Sequence, residues 1–266
     1  MKNIGMIAGN GRFPFLVAQE IKKHGDRVIA VALKEEADKE IENFCDETIW
    51  LSVGKIQKII DAFKDRNVDT AIMVGQVKHA KIYSAITMDL RALKIMTSLV
   101  NKKTDTILGA VVKEFEKDGI TFLPSHSYLK HLLAQKGVIA GKKFNSEERK
   151  DAEFGFKMAK AIAGLDIGQT VVVKDKSVLA VESIEGTDEC IKRAYSLGGE
   201  NAIVVKVAKP NQDFRFDVPV IGTRTIDTLN DNKIRAMIIE ADATLILDKE
   251  EVLEKAKKTN VTIIAY

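Results

Sequence analysis

Cysteine is scarce. Cys45 and Cys190 are the only two among 266 residues, they lie far apart, and neither belongs to a CxxC pair. That excludes a disulfide framework and a zinc knuckle, and it fits a reducing compartment. The four histidines (His24, His79, His126 and His131) show no HExxH or other ligand spacing, so they mark no metal centre. No run approaches the roughly 18 consecutive apolar residues that would cross a bilayer. The opening Met1–Gly9 holds an apolar run of about 5 residues, against roughly 7–15 in a secretory signal core. It reads as a first strand, and the expected location is cytoplasmic.

An excess of one charge is missing as well. Lys and Arg number 41 and Asp and Glu 38, a net +3 with the signs interspersed. Short pairs such as Lys102-Lys103, Lys142-Lys143 and Lys257-Lys258 make no basic arm, so no nucleic-acid partner is expected. GxxxxGK[ST] is absent, which excludes a P-loop NTPase, and the GxSxG elbow of α/β hydrolases is absent too. The Asp/His and Asn-His ligands of paired-metal phosphoesterases have no counterpart. No internal repeat or low-complexity segment occurs.

What is present is alternation. Asn3–Ala8, Arg27–Leu33, Ile49–Leu51 and Thr70–Val74 are short apolar runs, and Phe15–His24 and Gly54–Arg66 between them carry apolar residues at helical spacing. Strands alternating with helices predict a parallel sheet with crossovers. Helices over Asp89–Val100 and Asp105–Lys117 and a strand over Ile120–Leu123 complete a first domain, residues 1–134. Residues 135–145, around Gly137–Lys143, are weakly patterned and read as a linker. The second domain, 146–266, opens on a helix capped by Asn145 with Glu148 three residues on, a capping-box spacing. A hairpin turning at Asp175-Lys176 follows, and then further strands and helices. The fold class is α/β: an N-terminal Rossmann-like parallel sheet and a C-terminal mixed α/β domain, with the active site expected in the cleft between them.

Five stretches could carry chemistry. Gly9-Asn10-Gly11-Arg12-Phe13-Pro14 is a glycine turn between the first strand and first helix, where backbone N–H groups favour an anion. The dinucleotide fingerprint would need a third glycine where Pro14 stands and an acidic residue where the chain reads Ala32-Leu33-Lys34, which speaks against NAD. Gly75-Gln76-Val77 ends another strand at what should be the same carboxyl edge, so the two turns together point to a nucleotide. Leu165-Asp166-Ile167-Gly168-Gln169 reads as a helix-to-strand connection. Glu182 and Glu185-Gly186-Thr187-Asp188 stand at a helix start, where Thr187 or Asp188 would serve as N-cap and Glu185 would face solvent. Lys209, Gln212, Asp213, Arg215, Asp217, Thr223 and Arg224 crowd a loop punctuated by Pro210, Pro219 and Gly222. Hydrolysis of a diphosphate suits this set: Lys209, Arg215 and Arg224 can meet phosphate, and Asp217 can hold Mg²⁺ or the attacking water.

These same motifs resemble the LpxI-type UDP-2,3-diacylglucosamine pyrophosphatases. The resemblance runs from Ile4 to about Ile264 and is most specific in Val181-Glu-x-x-Glu-Gly-Thr-Asp188 and Lys209-Pro-x-Gln-x-x-Arg-x-Asp-x-Pro-x-Ile-Gly222. Asn10 departs from the glycine that many relatives carry there. The resemblance implies two α/β domains with the substrate between them. It implies cleavage of UDP-2,3-diacylglucosamine to 2,3-diacylglucosamine 1-phosphate (lipid X) and UMP in lipid A biosynthesis, with a divalent cation, usually Mg²⁺. It makes Asp217, in the second domain, the catalytic and metal-binding residue. It also makes Gly9, Asn10, Gly11, Phe13, Pro14, Gly75, Gln76, Val77, Asp166, Gly168, Gln169, Glu182, Glu185, Gly186, Thr187, Asp188, Lys209, Gln212, Arg215 and Thr223 substrate contacts. Peripheral contact with the inner membrane surface and a homodimer are further expectations. Asp213 and Arg224 are expected to face solvent. Ile86, Met88, Leu93, Ile95 and Met96 offer apolar surface to acyl chains, with core packing the explanation for most of them. A non-catalytic nucleotide- or lipid-binding regulator of the same fold is the alternative, and a nicotinamide-dependent oxidoreductase, resting on the first glycine turn alone, is a third reading.

Overall fold

The computed structural model describes residues 1–77, 88–99 and 103–266. Two compact units divide it. The first is residues 1–129 together with Asp213–Asp217, and the second is 130–212 with 218–266.

The first unit is a parallel five-stranded sheet. β1 (Asn3–Ala8), β2 (Arg27–Leu33), β3 (Glu47–Leu51), β4 (Thr70–Val74) and β5 (Thr121–Phe122) lie in the order β3-β2-β1-β4-β5. β1 and β2 are buried along nearly their whole length, as expected of parallel strands covered on both faces. Ile7, Ile29, Val31 and Leu33 join the apolar residues of α2 (Ile56–Lys64), α3 (Leu90–Ser98) and α4 (Thr104–Glu116) in one core, which includes Ile59, Ile60, Phe63, Ile95, Val112 and Phe115. The intervening positions Val28, Ala30 and Ala32 are equally buried. They point to the opposite face, since strand side chains alternate, and α1 (Phe13–Lys23) lies against β1, β2 and β4. Each fully buried Val, Leu or Ile stabilises the fold by about 1.5–3 kcal/mol.

The second unit is a six-stranded mixed sheet of β6 (Gly137–Ala140), β7 (Thr170–Lys174), β8 (Ser177–Val181), β9 (Ile203–Lys206), β11 (Ala236–Ile239) and β13 (Thr262–Ala265). Its order is β6-β13-β11-β9-β7-β8. β9, β11 and β13 are parallel; β6, β7 and β8 are joined antiparallel. A two-stranded ladder, β10 (Val220–Ile221) with β12 (Leu245–Ile246), stands beside it. Alternation sorts the core. Val172, Val204, Met237, Ile239 and Ile263 face α6 (Thr187–Ser196), α7 (Thr223–Asp231) and α8 (Lys249–Lys258). Val171, Val173, Ile203, Val205, Ile238 and Ile264 face α5 (Ser146–Gly164).

Local chemistry sets several boundaries. Asn145 Oδ1 accepts from the N–H groups of Glu147 and Glu148 at 2.9 Å each, and Glu148 Oε2 accepts from Asn145 N at 2.8 Å, the reciprocal box expected there. Asp175 and Lys176 both have positive φ, the geometry of a two-residue turn whose twist matches that of its strands. Within the expected linker, Gly137–Ala140 is instead an edge strand on β13. It carries no alternating pattern because its residues are only half-covered.

Candidate functional site

In the first unit the strand order reverses between β1 and β4, and the crevice beyond the carboxyl ends at such a point is where ligands bind in open α/β sheets. Both glycine turns are there. Gly9 N donates to Val74 O at 2.8 Å, and Asn10 and Gln76 exchange both backbone hydrogen bonds, Asn10 N to Gln76 O at 2.8 Å and Gln76 N to Asn10 O at 2.9 Å. The approach leaves no room for side chains: a Cβ on Gly9 would stand 2.5 Å from Gln76 O, and one on Gly75, at φ +91°, 2.7 Å from the Gly9 carbonyl carbon. Gly11, at φ +101°, completes the first turn and is exposed. Phe13 and Pro14 open α1 and are buried, so their part is structural as well as positional. Val77 packs on the core.

A third turn joins this edge. Leu123 N continues the β4–β5 ladder to Ala71 O, and the buried Ser125 then bonds in two directions. Its hydroxyl donates to Met73 O at 2.8 Å and its N–H to Phe214 O at 2.6 Å. The His126 and Phe214 rings meet edge to face at 5.3 Å, and Phe216 packs against the core of the first unit. Asp213–Asp217 is therefore a short turn, with Phe216 N and Asp217 N both directed at Asp213 O, seated beside the last residues of β4. The resemblance put Asp217 in the second domain. In the structure the Asp213–Asp217 turn groups with the first unit, where Phe216 lies half-buried against the core and the Phe214 ring meets His126.

Arg215 and Asp213 tie the turn together. The guanidinium bonds Asp213 through Nε and through a terminal nitrogen, at 2.9 and 2.7 Å, and reaches Glu116 at 3.2 Å. The hydrogen bond from Arg215 holds the Asp213 carboxyl below its usual range, and the same pair raises Arg215. Asp213 is thus an ion-pair member and not a free solvent-facing acid, and Arg215, expected on phosphate, is committed to two carboxylates.

In the second unit the expected residues gather where Thr170, Lys206 and Ile239 stand side by side at the ends of β7, β9 and β11. Glu182 is 9% exposed. Its carboxylate accepts from Thr187 Oγ1 at 2.8 Å and from Gln169 N at 3.3 Å, and Lys206 Nζ donates to the same Thr187 oxygen at 2.8 Å. Gly168 lets this happen, since a Cβ there would stand 2.0 Å from Glu182 O. Lys209 Nζ pairs with Asp166 at 2.8 Å, while Lys209 N donates to Gln212 Oε1 at 2.8 Å. The helix start differs from the expectation. Gly186 is the N-cap, Thr187 is already the first helical residue of α6, and its hydroxyl is spent on Glu182 instead of the helix end. Asp188 receives Arg224 at 2.8 Å and Thr228 at 3.3 Å, so Arg224 has a partner even though its side chain is exposed. Glu185, expected in solvent, accepts from Arg193, which lowers its pKa. Thr223 is the first residue of α7.

Sequence reasoning passed over Lys206, Ser125, Lys160 and Glu240. Lys206 and Glu240 share a signal that was available, a charged residue directly ending a fully apolar strand. Of the apolar candidates, Ile95 is buried and Met88 packs on the core, Leu93 is exposed beside Leu90 (86% exposed), and Ile86 lies outside the described residues. Among the described residues no three His, Cys, Asp or Glu side chains converge as a metal cage, and no helix is long and apolar enough to cross a membrane.

Fold and site together define a two-domain α/β protein, one sheet wholly parallel and one mixed, each gathering glycines, carboxylates and cations at the carboxyl edge of its parallel strands. Residues 3–132 match the family model described as the LpxI N-terminal domain, and residues 135–264 match the LpxI C-terminal domain. The chain belongs to the LpxI family. It is 28% identical over 275 aligned positions to the UDP-2,3-diacylglucosamine pyrophosphatase LpxI of Caulobacter vibrioides, covering 99% of this chain and 97% of that one. Among solved structures it is similar to phosphoribosylglycinamide synthetase from Anaerococcus prevotii, at 14% identity and a TM-score of 0.28 over 72% of this chain and 35% of that one. The biotin carboxylase of Campylobacter jejuni is 14% identical, with a TM-score of 0.31 over 73% of this chain and 42% of the other.

Proposed function

We propose that this chain hydrolyses the diphosphate bond of UDP-2,3-diacylglucosamine, giving UMP and 2,3-diacylglucosamine 1-phosphate (lipid X), a step of lipid A biosynthesis. The observation that carries it is the seating of the Asp217 turn on the edge that also bears the Gly9 and Gly75 turns. The Gly9, Asn10 and Gln76 N–H groups are spent on the turns themselves, so a nucleoside diphosphate would meet the exposed Gly11 turn at the start of α1, and a hydrolase needs a carboxylate within reach of the same phosphates.

In this reading Asp217 orients a water and draws off its proton. The water oxygen forms a new bond to one phosphorus, the bridging oxygen leaves with the other phosphoryl group, and the proton passes through the carboxylate to solvent. Mg²⁺ is commonly held by one or two carboxylates with substrate phosphates and waters completing its shell, and a site with Asp217 as its principal side chain fits that mode. Such a cation would polarise the phosphoryl oxygens and neutralise their charge.

The test is release of UMP from UDP-2,3-diacylglucosamine by the purified chain with Mg²⁺. Asp217→Asn should slow kcat by about 10²–10⁴-fold. A wild-type chain that releases no UMP, or an Asp217→Asn variant as fast as wild type, overturns the assignment. Tight binding without turnover would move it to a binding protein of the same fold.

A further inference from the structure

The Ala208 peptide, at the root of the Lys209–Asp217 segment, is held on both sides by two charged residues that belong to no motif. Parallel pairing ends at Lys206, opposite Ile239. One step beyond, Glu240 turns its carboxylate onto the chain, and Oε2 accepts from Ala208 N at 2.8 Å. Lys160, from the last turns of α5, donates to Ala208 O at 2.9 Å and to both Glu240 oxygens at 3.0 Å. Both side chains are largely covered, 29% exposed for Lys160 and 21% for Glu240, so their hydrogen bonds face weaker competition from water.

We propose that Lys160 and Glu240 are positioning residues for the hydrolysis, acting through the Ala208 peptide. This rests on the diphosphatase reading above. Val207 N still donates to Gln169 O at 2.9 Å; at Ala208 the backbone N–H and C=O are met by side chains instead, and an unpaired peptide is free to reorient. The Glu240–Lys160 pair supplies an acceptor to the peptide group before the Ala208 Cα and a donor to the one after it. With Ala208 fixed, Lys209 is fixed too: its N–H meets Gln212 Oε1 and its ammonium meets Asp166. Five residues after Gln212 stands Asp217. The clamp therefore sets where Lys209, the lysine expected on phosphate, sits. Misplacement of reacting groups by about 1 Å costs on the order of 100-fold in rate, which gives a remote clamp a measurable effect.

Two measurements on the full chain test it. The first is amide exchange of peptides covering 207–217 without substrate. It should quicken about tenfold in Glu240→Ala and in Lys160→Ala, the loss of a charge-assisted hydrogen bond. The second is steady-state kinetics at a temperature where circular dichroism shows each variant folded. Glu240→Ala and Lys160→Ala should lose about 10–100-fold in kcat, whereas Glu240→Gln and Lys160→Arg, which keep the acceptor and the donor for Ala208, should recover most of it. A merely structural role would lower the melting temperature and leave kcat of the folded variants within twofold of wild type, which overturns the proposal. So does unchanged exchange in Glu240→Ala, or a Glu240→Gln variant as slow as Glu240→Ala. Quickened exchange in the variants together with a wild-type chain that releases no UMP overturns the hydrolase reading and the positioning role that depends on it, leaving only the clamp as a structural contact.

Discussion

Gly75 is where one residue decides most. Its positive φ excludes a relaxed L side chain, and a Cβ would also overlap the Gly9 and Asn10 backbone. Gly11 shares the positive φ but faces open space. Gly75→Ala should therefore destabilise by about 2–5 kcal/mol, strain and overlap together, and Gly11→Ala by about 1–3 kcal/mol, strain alone. Urea unfolding of the two variants checks the order. Asp213 makes a prediction in pH. Arg215 depresses its folded-state pKa, so the stability it contributes is present above the ordinary carboxylate value and is lost as pH falls through the depressed one. The stability gap between wild type and Asp213→Asn should be constant near neutrality and shrink below about pH 4. A gap that widens in acid would contradict the sign.

Among the elements, α5 shows two effects in competition. Gly155, in its middle, faces Val173 and Val205, and a Cβ there would come within 2.8 Å of a methyl of each. Alanine is the better helix former by about 1 kcal/mol, but overpacking a core costs about 1–3 kcal/mol. Gly155→Ala should thus be net destabilising, by thermal melting, even though it improves the helix. At the amino end of α5, Asn145→Ala should cost about 1 kcal/mol, because it removes an acceptor shared by two N–H groups. α5, β1, β2 and β4 are legible in the sequence to within a residue or so, since long periodic runs and a cap state their own ends. β6 and β10 are not: four and two residues of partly covered chain carry no period, and a ladder partner remote in sequence makes them strands.

At the scale of the molecule, the units do not follow the chain. Asp213–Asp217 is flanked on both sides by residues of the second unit and belongs to the first. Phe216 is its anchor in that core. In the full chain, Phe216→Ala should lower the stability of the first unit by about 1–3 kcal/mol, less than a fully buried phenylalanine because this one is partly exposed. Amide exchange should quicken in β4 and β5 and leave β11 and β13 unchanged. Equal change in both units would mean that the turn is not held by the first unit's core.

Composition and pattern set which residue types are available and which local conformations they prefer. Alternating apolar runs specify strands and helices, paired glycines specify tight turns, and the spacing from Lys209 to Gly222 marks a polar loop between two strands. These depend on neighbours along the chain, and their physics is local. Packing of remote segments is what makes the Gly9 and Gly75 turns exchange hydrogen bonds, turns Arg215 to carboxylates, gives Thr187 to Glu182 and not to its own helix, and binds the Asp217 turn to the first unit. Each of these partners lies elsewhere in the chain or has an equally available local alternative. The choice between them is made by packing and by the need to pair every buried polar group, and no local pattern records it.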